Sequence, residues 1–246
     1  MESIKIPTYI INLPSSTDRR EYMQSLLKNI FVLDYEFVDA VYGKKLSEAE
    51  INGRFDLNKS SRKYGRNLNR GEIGCTLSHR DCYKRLFESG MKYILILEDD
   101  ITLIRNLEEV LNEEVITLLS KKKPVIIFLS GDYWHWNKKP VSRVFAAVGS
   151  YAYLINREAA DIINHAGKAF TVADDWDYFK QLGIKLYAIH PYAVDANLED
   201  LPSDISQEHW GYLKKKICLK YRLRGLWAGA IKLALVKVHR FESKKR

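Results

Sequence analysis

Apolar and polar positions follow two rhythms along this chain, and the rhythms alternate. Short apolar runs with strand character fall at residues 9–13, 36–40, 93–98, 125–129 and 184–189. Between them lie segments whose apolar residues recur at helical spacing: from Asp18 to about residue 29, then 71–89, 157–166 and 174–182. Strands taking turns with helices predict a layered α/β domain with a buried sheet. Residues 14–18 read as a turn and helix cap. Ser47 and Glu50 have the spacing of a capping box opening a brief helix. Residues 52–70 are polar and basic and read as a long loop, of the kind that is usually functional when it occurs in a compact domain. An amphipathic segment is expected from residue 101 to 120, a strand pair broken by Gly149 over 143–155, and an irregular stretch over 191–207. From Tyr212 onward the pattern is one basic helix interrupted by Gly225 and Gly229.

Composition adds little except through charge. The chain has 246 residues, 46% of them hydrophobic, ample for a single core. Three scattered cysteines, Cys75, Cys82 and Cys218, make no disulfide framework or zinc-finger spacing, which favours a reducing compartment. The N-terminus reaches a strand pattern without a basic then long apolar leader, so a cytoplasmic location is expected. Net charge is +8, but residues 214–246 hold twelve Lys and Arg against one acid, Glu242. The remainder is therefore slightly acidic. That is not the footprint of a nucleic-acid-binding domain, and no nucleic-acid partner is expected.

The strongest chemical signal is the run Glu98-Asp99-Asp100 at the end of an apolar strand. Ligands of α/β sheets sit at the carboxyl ends of strands. Three adjacent carboxylates there repel one another unless a divalent cation neutralises them, and such a cation commonly carries phosphate. The bland alternative is a solvated strand end with Asp100 as a helix N-cap.

Three segments together carry a resemblance: residues 10–20 (IINLPSSTDRR), residues 71–79 (GEIGCTLSH) and residues 97–100 (LEDD), with an intervening Asp39-Ala40…Gly43 turn. In this order and spacing, over roughly residues 6–210, they resemble glycosyltransferase family 25, which includes bacterial lipooligosaccharide galactosyltransferases. The resemblance implies an α/β GT-A type fold with a Rossmann-like nucleotide-binding sheet over residues 1–211, followed by a basic amphipathic helical tail over 212–246. It implies an inverting, metal-dependent transfer of a sugar, β-linked galactose being the first expectation, from a UDP-sugar to a lipooligosaccharide acceptor, with Mn²⁺ or Mg²⁺ as cofactor.

Residue roles follow on the same terms. Asp100 is the expected direct metal ligand, with Glu98 acting directly or through water and Asp99 nearer the ribose or sugar hydroxyls. Asn12, Leu13, Arg19, Arg20, Asp39, Ser78 and His79 are donor-side candidates. Adjacent arginines on a helix cannot both face one site, and Asp39 could equally be an ordinary turn carboxylate. A late histidine, His190 or His209, could complete the metal shell. Cys75 and Cys82 are expected as core thiols.

An inverting transfer needs a base for the acceptor hydroxyl. Asp175 is the first candidate, beside Trp176 as a sugar-stacking indole, with Asp174 as a helix N-cap and the second candidate. Trp134 and Trp136, flanking His135, form a possible acceptor platform, although a core role for one of them is an equal expectation.

In the tail, Leu219, Leu223, Trp227, Ile231 and Leu235 repeat every four residues beside a basic face. This predicts an amphipathic helix on an anionic membrane surface, through residues 214–246, at the inner face of a bacterial inner membrane. The rival reading is a helix packed on the body. A rival function of another class is a non-catalytic membrane- or nucleic-acid-binding module; a degenerate family member is disfavoured by the intact acidic box.

Overall fold

The computed structural model describes residues 5–197 and 217–242. Its centre is a nine-stranded mixed sheet. Strands β1 (Ile6–Asn12), β2 (Leu33–Asp39) and β3 (Tyr93–Glu98) run parallel in the order β2-β1-β3. Strand β8 (Ala152–Asn156) runs antiparallel between β3 and β5 (Val125–Phe128), and β5 pairs in parallel with β9 (Lys185–Ile189). Beyond β9 the sheet continues antiparallel through β7 (Val141–Ala147), β6 (Tyr133–His135) and β11 (Phe241–Glu242). A two-stranded ribbon pairs β4 (Ile101–Leu103) with β10 (Val194–Ala196). The expected α/β class is borne out, with a Rossmann-like parallel run of strands in the N-terminal half.

β3 explains why the sheet is buried on both faces. Ile94, Leu95, Ile96 and Leu97 are each fully buried. Alternate residues point to opposite faces of a strand, and here they enter different cores. Leu95 and Leu97 pack with Met23, Leu27, Val110 and Val115, from helices α1 (Thr17–Leu27), α5 (Leu107–Val110) and α6 (Glu113–Leu119). Ile94 and Ile96 pack with Cys82, Leu86, Ile163 and Phe179, from α4 (Arg70–Ser89), α7 (Arg157–His165) and α8 (Trp176–Gln181). A continuous apolar run is what a doubly covered strand requires.

Several local expectations change. Residues 52–70 are not a long loop: α2 (Glu48–Arg54), opened by the Ser47–Glu50 capping box, and α3 (Leu57–Tyr64) occupy most of that stretch. Ile51, Phe55 and Leu68 pack there with Ile73, Leu77 and Ala169 in a third apolar cluster. The segment after Asp100 begins as strand β4 rather than as a helix, so Asp100 is no N-cap; the amphipathic part is split into α5 and α6, each capped by an asparagine, Asn106 and Asn112. The candidate His209 lies outside the described residues.

Among its described residues the tail has one helix, α9 (Leu219–Lys237), which Gly225 and Gly229 do not interrupt, and then the strand β11 rather than further helix. It is docked on the body. Arg224 pairs with Asp177 at 2.9 Å, Trp227 meets Phe145 edge-on at 6.1 Å, and Leu235 is buried. The four-residue apolar row is thereby divided: Leu235 turns inward, while Leu219, Leu223 and Trp227 stand 57–65% exposed, with Leu226 and Leu233 exposed beside the row. No helix among the described residues is long and apolar enough to cross a membrane.

Candidate functional site

The acidic run sits where β3 ends, beside the end of β1, whose Ile11 is in register with Glu98. This adjacency lets the first strand position the acids. Asn12, 2% exposed, donates from Nδ2 to Asp99 Oδ2 at 2.7 Å, and Arg19 on α1 donates to Asp99 Oδ1 at 2.8 Å. The same guanidinium lies 3.5 Å from Asp100 Oδ2. Charge is nevertheless under-compensated. Burial pushes the Asp100 carboxyl up to about 7, the negative field of Glu98 adding to it and Arg19 opposing. Burial likewise raises Asp99 above the usual carboxylate range despite its two partners. Asp100 Oδ1 is buried without a hydrogen-bond partner among the described residues. A buried carboxylate oxygen left bare costs free energy unless something fills its place.

Glu98 is held differently. Burial would raise its pKa, but His79 beside it and the Ser150 hydroxyl, which donates to Oε1 at 2.5 Å, bring it below the usual value. His79 Nε2 is 3.4 Å from Glu98, and His79 Nδ1 is 2.7 Å from the Tyr153 hydroxyl, itself 2.6 Å from that of Tyr83. His79 is thus hydrogen-bonded through Nδ1. Cys75, one turn earlier on α4, is not a core thiol: it lines the cleft, with its sulfur within 4.8 Å of ligand atoms of His79 and Glu98. Burial, then the surrounding carboxylates, push its thiol pKa far up, so it stays protonated.

The cleft above these acids has a volume of about 260 Å³. Three walls enclose it: Leu13, Ser16 and Arg19 after β1, residues 40–44 after β2, and the first turns of α4. The second and third walls meet through glycine. A Cβ on Gly74 would lie 2.6 Å from the Val41 oxygen and 2.7 Å from the Gly43 nitrogen, and one on Gly43 would overlap the Arg70 carbonyl. Only glycine permits so close a backbone approach. Ser78 secures the contact: its Oγ accepts from Val41 N at 2.8 Å and donates to Gly74 O at 2.8 Å. Glu72 and Asn69 form the capping box that starts α4.

Of the expected site residues, Leu13, Arg19, Ser78, His79, Glu98, Asp99 and Asp100 come together in this cleft. Asn12 acts from behind, through Asp99. Arg20 points elsewhere, its guanidinium 4.2 Å from the Phe37 ring centre. Asp39 is exposed, and the residues just after it line the cleft instead.

Of the two carboxylates before α8, Asp175 and not Asp174 is the cap. Asp175 is the N-cap, accepting from Tyr178 N at 3.1 Å, and is held by Lys63 at 2.8 Å and the Tyr64 hydroxyl. Committed to three partners, it is a structural carboxylate. Asp174 accepts from Gly149 N at 3.0 Å, and burial raises its pKa, with Glu98 and Asp175 contributing. Trp176 cannot stack on a sugar: it is 1% exposed, donates its indole N–H to Gly149 O at 3.0 Å, and packs on Phe128. Its indole fixes the turn that orients Asp174.

His190 does not join the acidic box. It ends β9, three strand positions from β3, roughly 14 Å along the sheet. Trp134 and Trp136 belong to β6 and the turn after it, five positions away, roughly 24 Å. Trp134 is stacked under Phe241 at 4.5 Å with Lys232 Nζ 4.3 Å from its ring, so the tail occupies it. Trp136 is 42% exposed and sits edge-on to Phe145, outside the cleft lining. Neither is an acceptor platform for a sugar held at the acids.

Against known proteins, the profile of a family described as glycosyltransferase family 25 (LPS biosynthesis protein) matches residues 5–176. Procollagen galactosyltransferase 1-A of Xenopus laevis is 36% identical over 96 residues, which cover 38% of this chain and 16% of that protein. A protein of Acanthamoeba polyphaga mimivirus, named "Putative glycosyltransferase", is 30% identical over 233 residues, 85% of this chain and 69% of its own. Among solved structures, a glycosyltransferase involved in glycosylation of the major capsid of PBCV-1 covers 64% of this chain and 62% of its own, at 12% identity and a TM-score of 0.32. The matched segment is thus about a sixth of the procollagen galactosyltransferase.

Proposed function

Because the chain belongs to glycosyltransferase family 25, we propose that its cleft transfers a sugar, galactose first, from a UDP-sugar to a glycan acceptor with inversion, and that the acceptor is a lipooligosaccharide core. The observation that carries this reading is the acidic run at the end of the parallel β2-β1-β3 strands, where Asp100, whose buried Oδ1 has no hydrogen-bond partner among the described residues, lines the cleft with Glu98 and Asp99. Hard oxygen donors with surplus negative charge fit Mn²⁺ or Mg²⁺. Asp100 and Glu98 would hold the ion, which when bound supplies positive charge to the departing diphosphate.

The protein's own groups supply the rest. Arg19, tied to Asp99 and Asp100, keeps the acids in place while the donor is absent. The backbone of residues 40–44, pinned by Ser78, forms the wall against which a nucleoside lies. Asp174 takes the acceptor hydroxyl's proton; its raised pKa brings it closer to neutral operating pH, which favours general base catalysis. Lipid-linked acceptors also suit α9, whose outward leucines sit among Lys220, Arg222 and Lys237, the arrangement of a helix lying in a membrane interface. In this reading the enzyme works at the cytoplasmic face of a bacterial inner membrane.

The test is UDP release from a panel of UDP-sugars by the purified protein with and without Mn²⁺. Release from UDP-galactose that needs the metal supports the reading. Absence of release with every donor and a lipooligosaccharide acceptor would reduce the chain to a binding module.

A further inference from the structure

We propose a second metal site, for Zn²⁺ or a similar borderline transition ion, formed by His135, His190 and Glu242 where the C-terminal strand joins the sheet. The three side chains come from β6, the end of β9 and β11, and one ligand atom of each lies within 4.8 Å of the others. They are brought together by pairing: Glu242 is opposite Tyr133, and His135 N donates to Arg240 O at 3.0 Å.

The proposal stands on the state of His135. This side chain is fully buried, and its Nδ1 is 2.8 Å from the Asn137 carbonyl. A carbonyl can only accept, so the neutral ring carries its hydrogen on Nδ1 and leaves Nε2 as a lone pair. That Nε2 is buried with no partner among the described residues. A histidine whose outer nitrogen is fixed by a carbonyl while the inner one points at other ligands is the usual arrangement around a bound ion.

Spacing agrees. His190 Nδ1 and Glu242 Oε2 are 3.4 Å apart, longer than a charge-assisted hydrogen bond of about 2.8 Å. Two ligand atoms on a tetrahedral ion with bonds of about 2.0–2.1 Å are about 3.3 Å apart, so this pair already has the edge length required. Two imidazoles and one carboxylate suit Zn²⁺ and disfavour Mg²⁺ or Ca²⁺, which select oxygen. His190 and Glu242 retain 22% of their side-chain surface, which gives the ion an entry and a place for a water ligand. Bound there, the ion ties the end of the chain to the body. This inference is independent of the sugar-transfer reading.

The experiment uses the full chain stripped with EDTA, titrated with Zn²⁺ against a chromophoric chelator and with Co²⁺ followed by its visible spectrum. One equivalent should bind with the absorption of a nitrogen-ligated, low-coordinate ion, and binding should survive Asp100→Asn and Cys75→Ser. His190→Asn and Glu242→Gln should each weaken it at least about tenfold. Zn²⁺ should also slow tryptic cleavage after Lys237 and Arg240, and not in Glu242→Gln. Equal affinity in wild type and Glu242→Gln, or loss of the spectrum in Asp100→Asn or Cys75→Ser alone, overturns the proposal by placing the ion elsewhere. Should His190→Asn fail to fold, Glu242→Gln, a partly exposed side chain on a two-residue strand, decides alone.

Discussion

Asp174 and Asp175 are neighbours with opposite circumstances, and substituting each to asparagine separates chemistry from architecture. Asp174→Asn keeps a group that can accept from Gly149 N but cannot take a proton, so kcat should fall roughly 10²–10⁴-fold with UDP affinity unchanged. A carboxylate whose folded pKa is raised gives stability only at pH below its unfolded value, and that contribution is lost as pH rises through the folded one. Ionised Asp174 therefore carries a burial cost, and the asparagine variant should melt no lower than wild type. The acid limb of the wild-type pH–rate profile should lie above the ordinary carboxylate range for the same reason. Asp175→Asn should instead lower stability by about 1 kcal/mol or more, since Lys63 loses its partner, with transfer retained in the folded fraction. Asp100→Asn should remove metal-stimulated transfer by orders of magnitude in a protein that melts like wild type, checked by UDP release and circular dichroism. Sequence pointed to the acidic box because three adjacent charges after an apolar run have few other uses. It placed the cap on Asp174 rather than Asp175 because both precede a helix, and only the indole bond of Trp176 to Gly149 and the grip of Lys63 decide which one caps.

At the level of elements, legibility followed burial. β3 and β5 were visible because doubly covered strands must be apolar throughout, and the Gly74 region was visible as a glycine-containing helix start. α3 was not, because its buried positions are Ser60 and Ser61 and most of its other residues are polar, Asn58, Lys59, Arg62 and Lys63. Its only written signals were Asp56, which caps it, and Gly65, which ends it in the left-handed region at φ 69°. β4 and β10 are three residues each, too short for any periodicity. The contact between α4 and residues 41–43 makes its own prediction. Gly74→Ala forces two backbones apart, so it should cost about 1–3 kcal/mol in denaturant titration and raise the KM for donor more than it lowers kcat. A donor KM equal to wild type would mean that the 40–44 wall does not touch the nucleotide.

For the molecule as a whole, the tail is both attached and available. Sequence anticipated its helix and its charge, but could not say which leucines face the body, because contacts with Phe145 and Asp177 come from residues far away in the chain. The outward set now gives a cleaner test than truncation. Replacing Leu223 and Leu226 by serine should leave the melting temperature and transfer to a short soluble acceptor nearly unchanged. Binding to vesicles containing anionic lipid should drop at least tenfold, and binding of the wild type should weaken with salt as surface attraction is screened within about 10 Å at 0.1 M. Equal vesicle binding by the variant would refute the anchor. The short strand β11 carries a different consequence. One margin of the sheet, β2, displays the exposed acids Asp34, Glu36 and Asp39, which discourage a second chain from adding there. The opposite margin, β6, has no such charges of its own and relies on Phe241 and Glu242 to occupy its hydrogen-bonding groups. Loss of a few terminal residues would bare that margin to edge-to-edge self-association, so proteolytic trimming after Arg240 should turn a well-behaved protein into one that precipitates.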